Sequence, residues 1–85
     1  MKEVNYVITD PEGIHARPAG ELVKLAKGFE SGIKIVKDGK AADCKKIFGI
    51  MGLGVKKGHE ITMQVEGADE ETAIAAIEAF LKENL

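Results

Sequence analysis

Residues 13–20 read Gly-Ile-His-Ala-Arg-Pro-Ala-Gly and hold the chain's one arginine, two positions after one of its two histidines. A neutral imidazole is a nucleophile near physiological pH, and a guanidinium presents a planar donor fork that matches phosphate oxygens. Pro18 adds a structural clue, since in the first turn of a helix its missing N–H is no loss and its fixed φ suits the helix. His15 therefore stands just before a helix, beside amides that have no intrahelical partner. Those amides, at Ala16 and Arg17, combine with the positive end of the helix dipole into a ready phosphate site. Together the residues describe a histidine that accepts a phosphoryl group and holds it between helix amides and the Arg17 side chain. No carboxylate–histidine dyad, Walker loop or metal-ligand cluster is spaced along the chain to run an independent reaction. The plainer alternative is a surface histidine that serves only as a polar or capping residue.

The elements that would position these groups follow from hydrophobic periodicity. Residues 4–9 alternate with Val4, Tyr6 and Ile8 on one face, as a half-buried strand does. From Ala16 the spacing becomes helical through Ala19, Leu22, Val23, Ala26 and Phe29, with Gly28 expected as a left-handed C-terminal cap. Ile33 and Ile35 mark a second strand, Asp38-Gly39 a tight hairpin, and Lys-Ala-Ala-Asp a short third strand. A brief helix is expected from about Lys46 to Leu53, weak by propensity because of Gly49 and Gly52. Ile61, Met63 and Val65 alternate as a fourth strand. Asp69, Glu70 and Glu71 favour the start of a last helix whose buried stripe is Ile74, Ile77, Phe80 and Leu81. The order β-α-β-β-α-β-α predicts an α+β fold, an open-faced β-sandwich in which a four-stranded antiparallel sheet carries three helices on one face.

The 85 residues suit one domain, residues 1–85. A net charge of -2 argues against nucleic acid as a partner, because affinity for the phosphate backbone needs a basic face. Cys44 is the only cysteine, so no internal disulfide forms, and no metal site is expected around it. It reads as a small buried side chain. With no stretch of membrane-spanning length and no signal-peptide pattern, no membrane insertion is expected and the cytoplasm is the expected compartment. No cofactor is implied. His59, after a Lys-Lys-Gly turn, reads as a surface residue.

The stretch Gly-Ile-His-Ala-Arg-Pro-Ala-Gly, the segment Lys-Lys-Ile-Phe-Gly-Ile-Met-Gly-Leu-Gly-Val-Lys-Lys-Gly-His-Glu-Ile, the length and the element order resemble the HPr family. These are the histidine phosphocarriers of the bacterial phosphoenolpyruvate:sugar phosphotransferase system, and the resemblance spans essentially the whole chain. It implies that His15 is phosphorylated on Nδ1 by phosphorylated enzyme I and passes the group to sugar-specific IIA domains. It implies that Arg17 neutralises the phosphoryl group in both transfers. Ile47, Phe48 and Met51 match apolar positions that dock on partners, and Lys24, Lys27 and Lys45 match basic positions that meet acidic rims. A monomer is the implied state. Against this, an amphipathic stretch puts at least one of the three apolar residues in the core, and such lysines are commonly a solvated helix face.

One departure is visible. Many Gram-positive members carry a regulatory serine at the start of the second helix, where this chain has Lys46, and a further common serine position is Gly52. Lysine has no hydroxyl and a charge opposite to phosphoserine, so the resemblance here implies a carrier without the serine switch. The alternatives are a paralogue in a dedicated non-sugar phosphotransfer chain, a non-catalytic interaction module using the same docking patch, and an acylphosphatase-like enzyme. The last needs a side-chain amide to position water, for which Asn5 and Asn84 are poor candidates.

Overall fold

The computed structural model describes residues 1–85, which run β1 (Lys2–Val7), α1 (Ala16–Lys27), β2 (Gly32–Lys37), β3 (Lys40–Asp43), α2 (Ile47–Gly52), β4 (Glu60–Glu66) and α3 (Glu70–Asn84). The four strands form one antiparallel sheet in the order β1-β4-β2-β3. β4 is central because its inward residues Ile61, Met63 and Val65, all fully buried, face an equally apolar row, Ile33 and Ile35 of β2. Outward residues of the same strands carry polar ladders instead. Gln64 donates to Glu3 at 2.8 Å and the Thr62 hydroxyl donates to Asn5 at 2.7 Å across the β1–β4 pair. One face of the sheet is thus free to remain in water while the helices cover the other.

The core is a single cluster of 17 residues in which Ala19, Leu22 and Ala26 of α1, Ile50 of α2, and Ala73, Ile77 and Leu81 of α3 meet the inward strand residues. Burying each of the Ile or Leu side chains contributes about 1.5–3 kcal/mol. The β2–β3 hairpin turns at Asp38 (φ 51°) and Gly39 (φ 78°), the left-handed pair that a two-residue turn requires.

Four local expectations shift. β1 begins and ends two residues earlier than its alternation implied. Ile8 is buried and still exchanges hydrogen bonds with the 58–59 turn, but Thr9 and Asp10 turn aside to bond the Leu85 carbonyl. Gly28 caps α1 in the right-handed region (φ -77°), with its amide on the Leu25 carbonyl, so the helix closes by tightening rather than by a left-handed residue. In α3 the deep stripe is Ala73, Ile77 and Leu81, while Ile74 and Phe80 lie at its half-buried margin. Asp69 precedes α3 without bonding its amides; its carboxylate instead accepts from the Glu30 and Ser31 amides, both at 2.9 Å, and from the Ser31 hydroxyl. Ser31, in the turn between α1 and β2, is therefore buried with its hydroxyl engaged.

Candidate functional site

The segment before α1 is built to hold one shape. Asp10-Pro11-Glu12-Gly13 has the residues of a tight turn, with Pro at its second position. The Asp10 carboxylate accepts the Glu12 amide at 2.8 Å, and the Asp10 carbonyl accepts the Gly13 amide at 2.9 Å. Gly13 has φ 68° and lies so close to the 55–56 backbone that a Cβ there would sit 2.3 Å from the Val55 carbonyl oxygen. Ile14 then donates to that same carbonyl at 3.0 Å and buries its side chain. His15 follows with extended backbone (φ -88°, ψ -177°) as the N-cap of α1.

The His15 carbonyl accepts the Ala19 amide at 3.0 Å, the first bond of the helix. Pro18 has no N–H, so the donors left over at the helix start are the amides of Ala16 and Arg17, the two singled out in the sequence. The His15 ring is about one-third exposed (36 %) and lines a cleft of about 240 Å³ together with Asp10, Arg17, Pro18, Glu21, Glu83 and Asn84. Arg17 is largely exposed (83 %), with Nε 3.8 Å from Glu21. An exposed pair of that length holds its members weakly, so the guanidinium is free to turn toward a charge arriving at His15. The arrangement can receive a tetrahedral anion at a nucleophilic nitrogen, between two helix amides and one mobile cation.

The remaining sequence candidates lie in α1, in α2 and in the segment just before α2. Phe48 is 85 % exposed and Met51 40 %, both large apolar side chains left in water. Ile47 is half-buried, packed on the core, and its Cδ1 lies next to Gly20 of α1. Lys24 and Lys27 are exposed in the last turn of α1. Lys45 is different: its Nζ donates to the Phe29 carbonyl at 2.9 Å, so its charge closes the end of α1.

Cys44 is fully buried, and burial, helped by the neighbouring Asp43 carboxylate, pushes its thiol up to about 12, far from thiolate chemistry. His59 is half-buried; its Nδ1 accepts the Lys56 amide at 3.0 Å and so caps the 56–59 turn.

Several groups of the site escaped sequence reasoning. Glu21 was readable as the i+4 partner of Arg17. Glu83 had no local signal, because only the packing of α3 beside α1 brings it to the cleft. Glu12, three residues before His15, places a carboxylate oxygen 3.4 Å from Nε2, although no carboxylate–histidine pair was expected.

The chain matches, over residues 2–83, the family model described as the PTS HPr component phosphorylation site. It belongs to the HPr family. Its relatives include the phosphocarrier protein HPr of Lysinibacillus sphaericus, 46% identical over 83 residues, which are 98% of this chain and 94% of the relative. A histidine-containing phosphocarrier protein of Mycoplasma superposes with a TM-score of 0.93 at 39% identity, over 96% of this chain and 93% of that one. HPr from Thermoanaerobacter tengcongensis superposes at 0.92 with 44% identity, over 96% and 92% of the two chains. The same organism's HPr dimer gives 0.78 at 43% identity, over 98% and 95%. The HPr fold, an open antiparallel sheet with three helices, is the fold described above. Family membership makes this a phosphocarrier of the phosphotransferase system, with enzyme I and IIA proteins as its general class of partners. No helix is long and apolar enough to cross a membrane.

Proposed function

We propose that His15 accepts a phosphoryl group from phosphorylated enzyme I and passes it to IIA domains of sugar permeases. The observation that carries this reading is the placement of a part-exposed imidazole at the N-cap of α1, in a chain matched to a phosphorylation-site family. The amides of Ala16 and Arg17 receive the phosphoryl oxygens, and the Arg17 guanidinium leaves Glu21 to neutralise them. The protein is a stoichiometric intermediate in phosphoryl transfer and does not turn over a substrate by itself. Phe48 and Met51, with Ile47 behind them, form the apolar centre of the docking surface; Lys24 and Lys27 steer acidic partners to it. Lys45 contributes to the field while holding α1. The working unit is a monomer of one domain acting in the cytoplasm, and light scattering against the dimeric behaviour of the Thermoanaerobacter relative tests the monomer.

The carrier lacks the serine switch. Lys46 occupies the N-cap of α2 with no hydroxyl to modify, and the only serine, Ser31, is buried with its hydroxyl on Asp69. Incubation with an HPr kinase and ATP is expected to leave the protein unmodified, and stoichiometric phosphoserine would overturn this point.

The deciding experiment is phosphoenolpyruvate-dependent labelling by purified enzyme I, read by mass and by acid lability. One acid-labile phosphate, absent in His15→Ala, is expected. No label with several enzymes I would leave the chain a docking module without phosphoryl chemistry.

A further inference from the structure

Five charged groups from three elements surround the His15 ring: Asp10 and Glu12 from the preceding turn, Arg17 and Glu21 from α1, and Glu83 from α3. Of these only Glu12 reaches ion-pair distance, with Oε2 3.4 Å from Nε2, and it does so from outside the cleft that the others line. Its backbone is fixed on both sides. The Asp10 carboxylate holds the Glu12 amide, and Gly13, next in the chain, is wedged against the 55–56 backbone. A solvent-facing glutamate has no folding reason to sit here, since its side chain is 73% exposed and makes no other ion pair.

We propose that Glu12 is a positioning residue for phosphoryl transfer: it takes the proton-bearing Nε2 of His15 and leaves the Nδ1 lone pair as the nucleophile. The proposal rests on the reading of His15 as the phosphoryl acceptor. The charge balance explains the value of a carboxylate at this point. When the Nδ1 pair attacks phosphorus, the donor's bond to phosphorus breaks and that electron pair stays with the donor. No proton moves, so Nε2 keeps its hydrogen and the ring passes from neutral to cationic as the Nδ1–P bond forms. Glu12 is the counter-charge of that cation, on the edge of the ring opposite the phosphoryl oxygens, where Ala16, Arg17 and the helix dipole act. A cationic phosphoimidazole is also the form that gives its phosphoryl group away most readily, because the ring departs neutral. Glu12 therefore favours the cationic, transferable form of the phosphorylated ring, and the onward step reverses the same movement of electrons: the N–P pair returns to Nδ1.

Two measurements on the wild type, Glu12→Gln and Glu12→Ala test this. Nitrogen-15 correlation spectra of the free protein report which ring nitrogen carries the proton. The Nδ1–H form should rise about threefold in Glu12→Ala, the size expected for an exposed pair, and remain low in Glu12→Gln, whose amide oxygen still accepts from Nε2. In the phosphorylated proteins, the midpoint of the pH profile for phosphoryl loss should move toward acid by roughly half a unit in both variants, because each lacks the counter-charge. An unchanged tautomer ratio together with an unchanged midpoint in Glu12→Ala would overturn the proposal. If the wild type takes no label at all, the reading of His15 fails separately, and the tautomer ratio of the free protein decides alone whether Glu12 orients the ring.

Discussion

Replacing Gly13 by alanine puts the site's geometry to a quantitative test. At φ 68° an added Cβ would lie 2.3 Å from the Val55 carbonyl oxygen and 2.6 Å from the Lys56 Cα, both backbone atoms with no side-chain rotation to relieve them. The left-handed conformation by itself costs an alanine roughly 1–2 kcal/mol. Moving the turn away to make room breaks the bond from the Ile14 amide to Val55, worth about 1 kcal/mol, and loosens the buried Ile14 side chain. A total loss of about 2–4 kcal/mol is expected, a large share of the roughly 4–13 kcal/mol that a domain of this length possesses. Urea denaturation should resolve it easily, and the melting temperature should fall by roughly 10–25 °C. Because the same turn carries Glu12 and delivers His15 to the N-cap, phosphoryl uptake from enzyme I should slow even at temperatures where the variant is folded. Hydrogen exchange at the Ile14 amide is the decisive probe. A loss below about 0.5 kcal/mol, with that amide as protected as in the wild type, would refute the steric reasoning and mean that the 55–56 backbone yields at no cost.

Two further outcomes are expected. Phe48→Ala should leave stability within about 0.5 kcal/mol, since the ring is 85 % exposed, yet weaken uptake from enzyme I about tenfold through KM, as the loss of a central aromatic in an interface does; an unchanged KM would remove Phe48 from the docking surface. Asp69 is held below its ordinary carboxylate range chiefly by the Ser31 hydroxyl, then by the Glu30 amide. Its stabilisation is therefore complete above the unfolded-state value, about 4, and is lost as pH falls through the lowered folded value. Urea midpoints followed from neutral to strongly acid pH should drop less steeply in Asp69→Asn than in the wild type, and parallel slopes would contradict this.

What could be read from sequence divides by the range of the interaction. Ile61, Met63 and Val65, or Ala19, Leu22 and Ala26, announce their faces because each periodicity is set by neighbours within one element. Asp38-Gly39 announces its turn because left-handed backbone selects those residue types. Ser31 and Asp69 do not: the contact that buries one and holds the other's carboxyl below its usual range joins residues separated by three strands and a helix. The same holds for Lys45 and Phe29 and for Glu83 at the cleft. Glu12 and His15 are near neighbours in sequence but stand in a turn, where spacing says nothing about direction, and only the fixed loop aligns them. The placement of His15, Arg17 and Pro18 at the start of α1 is legible because a helix start is a local feature.

The strand order has a consequence for how the chain comes off the ribosome. β1 is made first, yet its sole partner, β4, is made after every other strand and must slide between β1 and β2. Until residue 66 emerges, the β2–β3 hairpin has no central strand to lean on and β1 has an unsatisfied edge. Folding of this domain is consequently a late, nearly simultaneous event that closes loops spanning most of its length, which slows it relative to a helical bundle of equal size. The nascent chain reaches His15, the proposed acceptor, early, but the cleft beside it is complete only once α3, which follows the last strand, brings in Glu83.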